Sequence, residues 1–128
     1  MVKLEIRNVM ASYNVGSSQW NITLTIMNTG TRPVTIDQII INRVAGSLRN
    51  TYLTYSYKAF RDPASGIVTI EPGGEAHLSF TLDSKNTVQS SPYYREPVIN
   101  NSFVHGQLVS IVLHSVTGEE YPATLVLP

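Results

Sequence analysis

The stretch "QWNITLTIMNTGTRPVTIDQIII", Gln19 to Ile41, decides how the rest of the chain is read. Trp20, Ile22, Leu24 and Ile26 alternate with Asn21, Thr23 and Thr25. A period of two puts successive side chains on opposite faces, so this is a strand with one face in a core. "NTGTRP", Asn28 to Pro33, interrupts it. Gly30 is expected to supply permissive backbone there, and Pro33 to open the next strand, where a missing N–H is tolerated. A second apolar run follows, but Val34 and Ile36 share one parity and Ile39 and Ile41 the other. A switch of parity within one strand predicts a bulge, or burial on both faces.

The same alphabet extends in both directions. "VKLEIRNVM" sets Val2, Leu4 and Ile6 against Lys3, Glu5 and Arg7, and "YNVGSS" reads as a loop. "LRNTYLTYSYKAF" is rich in tyrosine and threonine, good strand formers. "RDPASG" is a turn cluster and "IVTI" a short strand. "EPGGEA" reads as a turn, and "HLSFTL" as a strand with Leu78, Phe80 and Leu82 inward. Residues 83–102 lack any period and predict a long crossing loop with room for one helical turn. "FVHGQLVSIVLHS" is apolar on both parities, as a central strand is, and "VTGEEYPA" is a hairpin turn with Gly118 at positive φ. Seven to eight short antiparallel strands without a convincing helix predict an all-β fold, an immunoglobulin- or fibronectin-III-like β-sandwich, with a small barrel as the alternative. At 128 residues a single domain over 1–128 is expected.

Composition narrows function by exclusion. Nine basic and nine acidic residues cancel, which disfavours nucleic acid and anionic membrane surfaces, both of which need a cationic face. Charged residues are only 14% of the chain, against about 25% in ordinary globular proteins. A sparse set of carboxylates suits a protein facing acid, where paired carboxylates lose their contribution on protonation. The absence of cysteine removes disulfides, thiolate metal sites and thiol nucleophiles. No run approaches the roughly 20 apolar residues of a membrane span.

No catalytic constellation emerges. His77, His105 and His114 are spread along the chain, with the last two expected to face opposite ways on one strand. No G-x-S-x-G elbow occurs, and "PGG" at 72–74 lacks the lysine and helix of a phosphate loop. "DSKN" at 83–86 is only a fragment of a calcium loop. The expectation is a protein that is not an enzyme and has no cofactor or metal. Two N-x-[ST] sequons mark Asn21 and Asn100 as possible glycosylation sites. The tyrosines say more. Tyr52, Tyr55 and Tyr57 share one strand, and Tyr93, Tyr94 and Arg95 sit together in the long loop. Tyr and Arg concentrate at binding hot spots, because they bury a large area and keep a polar tip, so these six are the candidate partner-binding residues.

Three segments taken together carry a resemblance. "NITLTIMNTGTRPVTIDQIIIN", "IVTIEPGGEAHLSFTL" and "GQLVSIVLHSVTGEEYPATLVL" resemble strand–turn–strand units of archaeal surface domains that follow a type IV pilin-like membrane helix. Only 46–62 and 83–102 fall outside this resemblance. Within that group, the low-charge, cysteine-free surface is most similar to the FlaF family of archaellum (archaeal flagellum) components. The resemblance implies a β-sandwich outside the cytoplasmic membrane, anchored by an N-terminal helix trimmed from this chain. It implies a domain that binds the surface (S-) layer protein and holds the motor fixed in the envelope. The related FlaG, archaellin and pilin domains imply instead a filament or pilus subunit, and a carbohydrate-binding accessory module is the reading from another class. The tyrosine strand has no charged guard until Lys58, so homodimerisation through that side with two-fold symmetry is expected.

Overall fold

The structure is a computed structural model that describes residues 1–128. It is all-β and antiparallel, with eight strands: β1 (Leu4–Asn14), β2 (Gln19–Asn28), β3 (Val34–Ile41), β4 (Val44–Ser47), β5 (Tyr52–Arg61), β6 (Val68–Asp83), β7 (Leu108–Ser115) and β8 (Glu120–Val126). The sheet order is β1-β2-β6-β3-β7-β8, with β4 on β3 and β5 on β6. The sheet folds over on itself until β8 lies beside β1, a sandwich close to a closed barrel. It contains no helix long and apolar enough to cross a membrane.

The alternation in β2 is realised in full. Trp20, Ile22, Leu24 and Ile26 are buried, facing Ile36, Ile39, Ile41, Val109, Ile111 and Leu113 in one apolar core. Each such aliphatic side chain contributes roughly 1.5–3 kcal/mol through burial. The parity switch in β3 is a bulge. Ile36 pairs with Ser115 and Gln38 with His114, so Asp37 is the extra residue. Gly118 has φ 94°, as the β7–β8 turn requires.

Several expectations need correction. "EPGGEA" is no turn between two strands. β6 runs unbroken through it, pairing first with β3 (Ile70 with Val34) and then with β2 (Glu75 with Met27, up to Asp83 with Gln19). β5 follows the other edge of β6 from Val68 to Ser79. The Pro-Gly-Gly segment is therefore the corner at which one strand passes between the two layers. The extra residues are on β6: Glu71 to Gly74 stand opposite the single residue Lys58 of β5, which takes φ 50°. β1 continues through "ASYN", because pairing with β2 supplies what alternation does not, and Val2 stays exposed outside it. The long loop after β6 has turns but no helical turn; the one short 3-10 turn is Leu48–Asn50. Leu108 is 63% exposed, so β7 is central in the ladder yet buried on one face only.

Gly30 has a different reason from the expected one. Its φ is not positive; instead the chain start crosses directly over it. A Cβ there would overlap the Met1 carbonyl oxygen and stand 2.7 Å from the Lys3 nitrogen. The amides of Thr29 and Gly30 donate to the Lys3 carbonyl, and that of Thr31 to Met1.

Candidate functional site

The outward face of β1, β2, β6 and β5 gathers the tyrosines. Strict alternation would put Tyr52 on the face opposite Tyr55 and Tyr57. A bulge at Thr54 corrects this, so that Tyr52 pairs with Ser79, Tyr55 with His77 and Tyr57 with Glu75, three outward positions of β6. Continuing across the sheet, Ser79 meets Thr23, His77 meets Thr25 and Glu75 meets Met27. The three rings thus form a row along the free side of the sheet, each about half exposed (43%, 48% and 51%). Each has a neighbour against it. Arg95 lies 4.9 Å from the Tyr52 ring, His77 lies 5.1 Å from Tyr55 and Lys58 lies 5.7 Å from Tyr57. His77 is also 3.5 Å from Glu75.

The second cluster is delivered to the same face by the long loop. Val98, Ile99 and Phe103 are buried and pin that loop to the core. Its critical clamp is Gln19, a buried side chain. The Gln19 amide nitrogen donates to the Arg95 carbonyl at 2.6 Å and to Asp83 Oδ1 at 2.5 Å, and its oxygen accepts from the Arg95 amide at 3.1 Å. Both backbone groups of Arg95 are thereby fixed, and its guanidinium lands over Tyr52. Tyr94 donates to Asp83 at 3.5 Å, and Tyr93 remains 66% exposed. At the other end, the Arg61 guanidinium donates to the Thr51 carbonyl, the Thr51 hydroxyl and the Leu48 carbonyl, fixing the entry into β5. The structure therefore brings Tyr52, Tyr55, Tyr57, Tyr94 and Arg95 into one strip, with Tyr93 at its margin. Gln19, which sequence reading passed over, is the residue that joins the two clusters; a glutamine at a strand start carries no signal of its own.

Asn21 lies on the same face beside Tyr93, Tyr94 and Arg95, in a shallow polar groove. Asn100 is exposed at the rim of a second, wholly polar groove with Asp83, Lys85 and Thr87. The histidines are apart. His105 is outside any strand, edge-on to Tyr13 and Trp20 at 4.6 and 5.0 Å, which corrects its expected place on the His114 strand. His114 Nδ1 is 2.7 Å from Asp37 Oδ1. No cluster of three or more histidines and carboxylates is placed to hold a metal.

Burial pushes the Asp83 carboxyl above its ordinary range, and the hydrogen bonds from Gln19 and Tyr94 only partly offset this. Tyr94 is pushed up by burial first and by the Asp83 charge second. A raised carboxyl pKa means that the protonated form fits the fold better. The stability it contributes is present below the ordinary carboxylate range and lost as pH rises through the raised value. Asp62 and Glu119 act oppositely: backbone and hydroxyl hydrogen bonds lower them, so their contribution is lost only as pH falls into the acid range. Asp83→Asn keeps the acceptor for Gln19 and removes the charge. It is expected to stabilise the domain at neutral pH and to lose that advantage as pH falls through the raised value, read by thermal unfolding across that range.

No protein-family model matches the chain, and no curated protein matches it either.

Proposed function

We propose that this domain is a non-enzymatic interaction module of an archaeal cell envelope, of the FlaF type found in the archaellum. On this reading it docks the S-layer protein on the outer side of the cytoplasmic membrane and helps hold the motor fixed. The observation that carries it is the convergence of two tyrosine groups, some forty residues apart in sequence, on one exposed sheet face. The buried glutamine holds both backbone groups of Arg95, so the loop presents its arginine in one orientation. A face of braced tyrosines and one arginine has the composition of a binding hot spot.

Purified domain is expected to co-sediment with S-layer protein. Each of Tyr52→Ala, Tyr55→Ala and Tyr57→Ala should weaken this by about 1–2 kcal/mol. No co-sedimentation of the wild-type domain at acid or neutral pH would remove the reading.

β5 pairs with β6 alone, so its other side is open. A bulge at Thr54 and the positive φ of Lys58 interrupt the free ladder, a device that discourages strand-to-strand addition. A second copy on this side therefore meets side chains, related by a two-fold axis, and sets two tyrosine rows next to each other. Sedimentation equilibrium should show a concentration-dependent dimer that Tyr57→Glu weakens; a monomer at every concentration would exclude it.

A further inference from the structure

We infer that the tyrosine strip of β5 and β6 takes an uncharged glycan chain, so that docking to the envelope partner is made through the partner's sugars. This rests on the reading that the strip is the docking face, and names what it grips.

The first ground is the pattern of the strip. Its three rings follow one strand direction; opposite them on β6 stand Ser79, His77 and Glu75, and behind these on β2 stand Thr23, Thr25 and Met27, so hydrogen-bonding side chains line most of the row. A sugar ring offers a face of polarised C–H bonds, which suits the negative face of a tyrosine, and a rim of hydroxyls, which suits short polar side chains.

The second ground is charge. On and beside the strip the cations Arg95 and Lys58 are matched in number by Glu75 and Glu96. These formal charges cancel, and the chain as a whole has a net charge of +0, so nothing favours a polyanion. The third ground is order before binding. Every ring already rests against Arg95, His77 or Lys58, so little side-chain freedom remains to be lost, which matters for a ligand that makes few contacts per unit. Gln19 is a positioning residue in this scheme. It touches no ligand but holds both backbone groups of Arg95.

The test uses the full 128-residue chain. Maltohexaose, cellohexaose and mannohexaose are titrated separately while the tyrosine ring and Arg95 side-chain resonances are followed by NMR, with heparin as the polyanionic probe. At least one neutral hexasaccharide is expected to shift Tyr52, Tyr55 and Tyr57 together, with an affinity insensitive to salt. Tyr55→Ala should weaken it roughly tenfold, equivalent to about 1.4 kcal/mol. Arg95→Ala, a surface change that spares the fold, should weaken it several-fold; Gln19→Ala should match Arg95→Ala provided its spectrum stays dispersed. No shift with any neutral probe, or shifts with heparin alone, overturns the inference. A final arm separates it from the docking proposal. If S-layer protein stripped of its glycans binds as well as untreated protein, the sugar inference fails and docking stands. If a neutral hexasaccharide binds but S-layer protein does not, the glycan site stands and the S-layer assignment falls.

Discussion

Gly74→Ala is expected to destabilise the domain by about 3 kcal/mol, far more than the same change one residue earlier. Gly74 lies in the corner where β6 passes from one layer to the other. A Cβ at that position would sit 2.5 Å from the Lys58 carbonyl oxygen, 2.8 Å from that of Glu71 and 3.0 Å from that of Tyr57. All three are backbone atoms, so no side chain can swing away to make room. Lys58, the single β5 residue opposite the corner, is itself at positive φ. Relief therefore requires β5 and β6 to separate where the Tyr57 row begins. Gly73 provides the comparison. It has φ 78°, but an added methyl group would meet nothing within 4 Å, so alanine there costs only the left-handed backbone, about 1 kcal/mol. Urea unfolding of both variants measures the difference. Equal losses would mean that the corner is not closed around Gly74.

Asn28→Ala should cost a similar amount, about 3 kcal/mol, because it removes three hydrogen bonds held by one buried side chain and leaves the Ile70 carbonyl without that donor. Asn28 is fully buried at the point where β2 and β3 part along the edge of β6. Its amide nitrogen donates to the Ile70 and Arg32 carbonyls, both at 2.8 Å, and its oxygen accepts from the Gly30 amide at 2.9 Å. One side chain thus ties the turn after β2 to β6, while the Gly30 amide also reaches the Lys3 carbonyl. Asn28→Asp keeps the shape and loses the donors, setting a carboxylate against two carbonyl oxygens. Burial and those oxygens raise its pKa, so the protonated form is the better tolerated. That variant should regain part of its stability as pH falls through the raised value, whereas the alanine variant should not. Parallel thermal melts at pH 7 and pH 4 decide the matter, and identical pH behaviour of the two variants would contradict this role.

These two residues show where reading the sequence stops. Alternation in β2, the bulge in β3 and the hairpin turn at Gly118 are legible, because each depends on its own neighbours in the chain. Asn28 sits in "NTGTRP" and looks like turn filler; its partners at Ile70 and Arg32 become visible only once β6 is seen to touch both layers. Pro72-Gly73-Gly74 has the composition of a turn, and is a corner only because Lys58 on another strand yields to it. The site divides in the same way. That the tyrosines form two groups is plain in the sequence. That they meet is not, since it depends on an inserted Thr54 and on a glutamine whose partners lie 64 and 76 positions away.

The direction of β1 has a mechanical consequence. β1 leaves the end of the sandwich that holds Thr29 to Thr31 and runs to the end that holds Gln19, antiparallel to β2 along its whole length. Its hydrogen bonds to β2 lie across the strand axis. A pull entering at Met1 and resisted at the tyrosine row of β5 is directed along that axis, and must pass through β2 and β6 before it reaches the row. The ladder is then strained in shear, with its bonds sharing the force together rather than parting one after another from a free end. A domain gripped in this way yields late and abruptly.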